Sequence, residues 1–452
     1  MVAGPSAAAT EIHVQARDPI CRGLPAAEAA VVRRAPFAVR AGPGAAMSGM
    51  WFALLGLAAF LLVYAYAGYP VLIWALSRWR GRPVRKGVFA GGVSVLIAAR
   101  NEAGALPAKL ANLLELARTE PIREIWIGLD GCTDGTGERV RETIDQRLET
   151  KDQRREIGDP CRESAVYSLQ SGPYVGILEF ERQRGKAAIL NELMARAAQP
   201  VLVMMDARQR VEEGAISRLV ENFADPQVGV VSGELVYEPA TGGAQKGAES
   251  YWGYEKFLRR SESRFWAVPG ATGALYAIRR ELCQPIPENT LADDVMIPMR
   301  ACMAGYRCLF EPSARVFDRP TDHFSREGAR KRRTLAGIWQ LMRLEPKLSS
   351  VSANPIWFQW VSHKVLRLFT PFLVLVSLLA LAFLAWQERG VWTWGFLVAA
   401  GGSLFSLAAY GTARKTPSRI LGILGAFAGV NWALIQAAGD AWAGRFEARW
   451  KR

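Results

Sequence analysis

The sequence predicts an α/β domain built on a mostly parallel sheet and inserted between transmembrane α-helices. Three observations carry this reading: four long uncharged apolar stretches, short β-branched runs alternating with helix-spaced segments, and polar or acidic residues recurring just after those runs. The apolar stretches are residues 51–76, 368–386, 391–413 and 420–439. Each approaches or exceeds the roughly 20 residues a helix needs to cross a bilayer core. Tryptophans at 51, 79, 386, 392, 394 and 442 mark several ends, as interfacial anchors do.

The first stretch is too long for the apolar part of a signal peptide, and Tyr69-Pro70 lacks the small residues of a cleavage site, so it reads as a retained helix bent at Pro70. Orientation follows from basic residues. Arg78, Arg80, Arg82, Arg85 and Lys86 follow the first stretch, while Lys364 and Arg367 precede the second, which places the intervening domain on the cytoplasmic side of the cell membrane. Four crossings would put the loop of Arg414, Lys415 and Arg419 on that side too. They would also export the tail of Arg445, Arg449, Lys451 and Arg452, against the same rule. The expected organisation is a disordered extension at 1–46, or a start at Met47 or Met50, then a transmembrane helix at 50–79 and the domain at 93–345. An interfacial helix at 354–367 and three transmembrane helices within 368–442 follow.

The net charge of +14 partly reflects the membrane flanks, and no motif or aromatic-basic platform for nucleic acid accompanies it. Six cysteines form no CxxC pair and the three histidines are scattered, which argues against a zinc site or a disulfide frame. Within the domain, VSVLIAA (93–99), EIWIGL (124–129), YVGILEF (174–180), VLVMM (201–205) and VGVVSGELVY (228–237) read as strands. The segments 108–117 and 186–198 keep helical spacing, so the strands belong to a parallel sheet covered on both faces. Such sheets bind ligands beyond the carboxyl ends of their strands. There stand Arg100-Asn101-Glu102, then Asp130-Gly131-Cys132-Thr133-Asp134-Gly135-Thr136, then Asp206-Ala207-Arg208-Gln209. Each alone is ordinary turn chemistry; their recurrence at one edge marks a site. No Gly-x-Gly-x-x-Gly follows 93–99, which argues against a dinucleotide-binding dehydrogenase.

The segments VSVLIAARNE, LDGCTDGT, GKAAILNELM, MMDARQ, GATGALYAIRR and LADDVMIPMRACMAGYR, in this order, resemble the family 2 glycosyltransferases, close to the membrane-bound branch of cellulose, hyaluronan and poly-N-acetylglucosamine synthases. The resemblance covers about residues 93–345. It implies a GT-A fold, a nucleotide-sugar donor (a UDP-sugar foremost), Mg²⁺ or Mn²⁺ as cofactor, and inversion at the anomeric carbon. Membrane lipids and a lipid or glycan acceptor are the other implied partners.

In that likeness Asp130 matches the acid contacting the nucleotide base, Arg100, Glu102 and Lys186 line the donor pocket, and Asp206 matches the first acid of the metal motif. Arg208 stands where the motif has its second acid, which either weakens metal binding or supplies a phosphate contact. Asp294 matches the general base and Asp293 the acid before it; mutual repulsion raises an effective pKa while a helix N-terminus lowers it. Gly270, Thr272 and Gly273 match an acceptor-side floor. Arg330 and Arg333 fall in the segment where the synthases carry Gln-x-x-Arg-Trp, with Arg330 in place of Gln and Thr334 in place of Trp. This basic cluster serves either the diphosphate or anionic lipid headgroups. The missing tryptophan favours a single-transfer enzyme over a processive synthase; a non-catalytic nucleotide sensor is the competing reading of another class.

Overall fold

The computed structural model describes residues 43–146, 154–156, 163–168, 172–237, 243–318, 324–412 and 419–446. Most of the expected extension at 1–46, and the tail residues Arg449, Lys451 and Arg452, lie outside the described residues. All that follows, after the opening turn of the first helix, lies in one unit, Met47–Arg452.

The chain enters through α1 (Pro43–Val63), one π-helical turn (Tyr64–Gly68) and α2 (Tyr69–Trp79). Pro70 accounts for the irregular turn. Without an N–H it leaves the Tyr66 carbonyl, four residues earlier, short of its helical donor. The Tyr254 hydroxyl, nearly two hundred residues away, donates to that carbonyl at 3.1 Å.

The domain is a ten-stranded sheet in the order β3-β4-β5-β2-β1-β6-β9-β8-β10-β7. Its strands are β1 (Val93–Ala99), β2 (Ile122–Asp130), β3 (Arg154–Glu156), β4 (Glu163–Ser168), β5 (Tyr174–Phe180), β6 (Val201–Met204), β7 (Arg210–Val211), β8 (Val228–Tyr237), β9 (Tyr276–Arg279) and β10 (Arg307–Asp318). The central set β5-β2-β1-β6 is parallel, as is β8 with β10. Antiparallel pairing enters through β4, β9 and β7. Every residue of β1 is buried, the pattern of a strand covered on both faces.

Helices α3 (Leu106–Leu116), α4 (Thr136–Asp145), α5 (Lys186–Arg196), α6 (Ala215–Val220), α7 (Gly243–Phe265), α8 (Asp293–Met303) and α9 (Phe324–Leu344) belong to the domain. Two apolar cores result. One holds Val93, Val95, Ile97 and Ala99 of β1 with Leu106, Leu110 and Leu113 of α3; the other holds Leu96 and Ala98 with Ile189 and Leu193 of α5. The period-two alternation of a strand makes this division, sending neighbouring side chains to opposite faces.

After α9 the chain makes α10 (Trp357–Gln359), a second π-helical turn (Trp360–Val365) and α11 (Leu366–Leu368), then α12 (Thr370–Glu388), α13 (Val391–Thr412) and α14 (Arg419–Trp442). Among the described residues, four segments are long and apolar enough to cross a membrane by length and composition: Met47–Trp79, Thr370–Glu388, Val391–Gly411 and Leu421–Trp442. The last has a second commitment. Leu434 is buried in the domain's second core, Ala437 packs with Leu291 and Ala336, and both Asp440 carboxylate oxygens accept from Arg332 of α9 at 2.6 Å. Its C-terminal half lies against the domain. An apolar face suits a protein core as well as lipid, so composition alone cannot separate the two.

Gly128 of β2 shows how tightly α5 is seated, because a Cβ there would meet Ile189 Cγ2 at 2.2 Å. Gly128→Val should destabilise the protein by about 1–3 kcal/mol through overpacking, read as a lowered unfolding temperature in detergent.

Candidate active site

The polar strand ends gather at the carboxyl edge of the central sheet. Asn101, after β1, has a left-handed backbone (φ 53°) and accepts the Thr133 N–H at 2.9 Å. The Glu102 N–H donates to Thr136 Oγ1 at 3.0 Å, and the Ala103 N–H to Asp134 at 3.1 Å. The two turn motifs thus interlock by side chain to backbone bonds, as Asx and Ser/Thr turn residues do. Arg100 lies beside them, and its buried Nη1 has no partner among the described residues, a donor left for a ligand.

Asp130 ends β2 with no exposed surface. Its two oxygens accept the backbone N–H groups of Arg184 at 2.6 Å and Gly185 at 2.9 Å. Those residues lead directly into α5, so Asp130 fixes the turn that presents Lys186. The Lys186 ammonium lies 3.1 Å from Asp206 Oδ1, after β6, and 3.1 Å from Asp293 Oδ2, at the start of α8. Three segments remote in sequence therefore meet at one cation.

Asp294 completes the group. Its Oδ2 accepts the Gly273 N–H at 3.0 Å, and its carbonyl accepts the Ala271 N–H at 2.8 Å. Gly270 holds φ at +111°, a backbone that L side chains rarely adopt. Gly273 stands at the centre: a Cβ built on it would lie 3.3 Å from Asp294 Oδ2, 3.6 Å from Asp206 Oδ2 and 3.6 Å from Lys186 Nζ. Thr272 donates its N–H to Ser232 Oγ of β8 at 3.0 Å, which secures the floor between them.

The electrostatics follow from this crowding. Loss of water and the neighbouring Asp293 charge push the Asp294 carboxyl up to about 6, against the pull of Lys186. The Lys186 ammonium is held well above its ordinary value, because Asp206, Asp293 and Asp294 together outweigh the cost of its burial. Burial also raises Glu102, while Arg208 and Arg330 pull it down. The Arg208 Nε is 3.7 Å from Glu102 Oε1. Arg330 of α9 is thereby within electrostatic reach of the strand-end motifs, and Arg333 lies one turn further along the same helix. Arg332 points elsewhere, to Asp440.

Among the described residues no three acidic, His or Cys side chains cluster in a way that would hold a metal ion alone. Asp206 keeps 42 % of its side chain exposed. Hard divalent ions commonly bind through one or two carboxylates, substrate phosphates and water. The residues present fit that arrangement, with Asp206 offering a partly exposed carboxylate.

Four contributors have no sequence signature. Lys109 of α3 is buried behind the Asp206 loop, donates to the Gln209 carbonyl at 2.7 Å, and is pushed by burial down to about 7. Gln340 of α9 accepts the Leu291 N–H at 2.9 Å and donates to the Asn289 carbonyl at 2.7 Å, bracing the segment before Asp293. Ser232 and Arg259 act on the floor from below. Each reads as an unremarkable residue until its distant partner is known.

Residues 94–286 match the Glycosyl transferase family 2 description and residues 201–411 the Glycosyl transferase family group 2 description. A poly-beta-1,6-N-acetyl-D-glucosamine synthase of Staphylococcus aureus (strain MSSA476) is 23 % identical over 229 residues, 49 % of this chain and 48 % of the relative. The synthase of the same name from Staphylococcus epidermidis is 22 % identical over the same length. The chain spans about half the length of these relatives. Among solved structures, the mannosyltransferase PcManGT from Pyrobaculum calidifontis, in complex with GDP-Man and Mn²⁺, superimposes with a TM-score of 0.63 at 22 % identity, over 87 % of this chain and 99 % of that one. The shared fold is GT-A.

Lys186→Met should leave Asp206 and Asp293 facing each other uncompensated. Asp294 is raised from 3.8 to about 6, so its ionisation opposes folding: this cost is absent below about pH 4, grows to about pH 6 and is complete above. The variant should therefore lose more unfolding temperature at pH 8 than at pH 5, measured by thermal scans at both.

Proposed function

The chain is a family 2 glycosyltransferase, and from that premise we propose that it moves a sugar, with inversion, from a nucleotide diphosphate donor to a lipid-linked or glycan acceptor at the cytoplasmic face of a membrane. The observation that supports this best is the meeting of Asp206, Asp293 and Asp294 around Lys186 and Gly273.

Asp294 is the base. Its carboxylate takes the proton of the acceptor hydroxyl as that oxygen attacks the anomeric carbon from the face opposite the diphosphate. The bond to the diphosphate oxygen breaks, and the electron pair leaves with it. Inversion follows from this single in-line displacement. A pKa of about 6 leaves Asp294 ionised near neutrality yet more basic than an ordinary aspartate.

Lys186 and Asp293 hold the charge balance around that base. Asp206 would hold Mg²⁺ or Mn²⁺, which would supply charge neutralisation for the diphosphate. Arg208, Arg330 and Arg333 are placed to add guanidinium contacts to the phosphates, in keeping with the lost second acid. Arg100 and Glu102 complete the donor pocket. Asp130 serves it indirectly, through the Arg184–Gly185 turn, and no exposed surface remains on it for a base. Gly270, Thr272 and Gly273 form the acceptor floor, where the absence of side chains at the glycines leaves room for a sugar ring.

The contacts of α14 support a membrane arrangement in which its C-terminal half rests on the domain, keeping Arg445 on the domain's side. This accords with the positive-inside rule better than export of the tail. Thr334 is exposed on α9 where the synthases carry tryptophan, which favours transfer of one sugar over processive synthesis.

Purified protein screened against nucleotide sugars should release nucleoside diphosphate with at least one donor. Asp294→Asn should lower kcat by roughly 10²–10⁴-fold while donor binding persists; retained turnover would refute the assignment. In the wild type, activity should fall as pH drops through about 6, because the base is then protonated. Gel analysis of labelled product should show a single added sugar, and a polymer ladder would reverse the choice between the two enzymatic modes.

A further inference from the structure

Helix α7 carries Glu255, Arg259 and Glu262 on one face, at spacings of four and three. None of these residues is more than 9 % exposed. The two acids bracket His363, from the π-helical turn before α11. Its Nδ1 lies 2.9 and 3.0 Å from the two Glu262 oxygens, and its Nε2 lies 2.8 Å from Glu255 Oε1. Each ring nitrogen thus meets a carboxylate, which ties the turn to two positions of α7. Arg367 adds a bond to Glu255 at 3.1 Å, and the Tyr69 hydroxyl of α2 donates to Glu262 at 2.7 Å. These bonds fix α7 against the membrane-proximal segments.

Arg259 reaches from that same face into the domain. Its Nη2 donates to Ser232 Oγ at 3.0 Å and approaches the Gly270 carbonyl at 3.4 Å, while the guanidinium stacks on Phe310 at 5.0 Å from the ring centre. The Ser232 hydroxyl has its full complement: it accepts from Arg259 and from the Thr272 N–H, and donates to the Gly233 carbonyl at 3.3 Å. Gly270 and Thr272 flank Ala271, and Gly273 follows; the N–H groups of Ala271 and Gly273 are the ones that hold Asp294.

We infer that Arg259, acting through Ser232, is a positioning residue for the base: it fixes the 270–273 loop so that the Gly273 N–H meets Asp294, from a helix itself locked to the membrane-proximal segments by His363. The inference rests on the reading of Asp294 as the base. Its physical content is that a loop with an αL-type glycine and no secondary-structure ladder needs an external brace, and that this brace is one guanidinium and one hydroxyl.

The test uses the full-length enzyme in detergent and compares Ser232→Ala, Arg259→Lys, the double variant and Asp294→Asn. The charged groups facing Asp294 are Asp293, Lys186 and Asp206, and all are untouched by the first three changes. The Gly273 N–H lowers the Asp294 pKa, so loosening it should move the acid limb of the kcat profile upward, by roughly half a pH unit. Ser232→Ala and Arg259→Lys should each lower kcat about tenfold, with donor KM changed by less than about twofold. The double variant should be no worse than the poorer single one, because both break the same strut. An unmoved limb, or additive losses, overturns the inference. So does a Ser232→Ala chain that no longer folds, since the hydroxyl would then be structural. Wild-type turnover in Asp294→Asn would instead overturn the base assignment itself, which separates the two failures.

Discussion

The Lys186 ammonium among three aspartates is the constraint on which the rest of the site depends. Two carboxylates adjacent in sequence, with a third brought by β6, could not stay ionised together in a partly dehydrated cleft without a compensating charge. One lysine supplies it, at 3.1 Å from both Asp206 and Asp293. Its position is in turn imposed by Asp130, which clamps the turn before α5, and by Gly128, which lets α5 sit close on β2. Remove any of these and the acids lose their common partner.

A second constraint acts from the apolar helices. Pro70 leaves free a carbonyl that Tyr254 satisfies, and the same helix α7 carries the acids that hold His363. Both irregular turns, at Tyr64–Gly68 and Trp360–Val365, therefore face α7, and Tyr64 OH meets Ser362 Oγ at 2.9 Å between them. Breaks in regular hydrogen bonding have become the points where the long apolar helices are joined to the domain. A buried ionic junction of this kind depends on geometry more than it adds net stability, because desolvation offsets much of the Coulomb gain.

β1, β5 and β8 begin and end where their β-branched runs do, since a strand covered on both faces is apolar throughout. β10 gave no such signal. It contains Pro312 and several charges, and its pairing with β8 shifts register between Phe310 and Arg315, so periodicity is broken there. The segment EKFLRRSESR of α7 has the composition of a solvated helix, yet Glu255 and Glu262 are buried against His363, about a hundred positions away, and Arg259 is buried against Ser232.

What the sequence determined by itself is the chemistry within reach: acids and turns at strand ends, an α/β sheet to carry them, and apolar segments of membrane length. Those follow from local properties, namely propensity, periodicity and residue type. What only the tertiary structure decided is which groups share a charge. It gave Lys186 to Asp206 and Asp293, turned Asp130 inward onto a backbone turn, separated Arg332 from its basic neighbours by pairing it with Asp440, and drew half of α14 onto the domain. Electrostatic and packing energies depend on distance in space, and distance in space between remote segments is fixed only when the chain has folded.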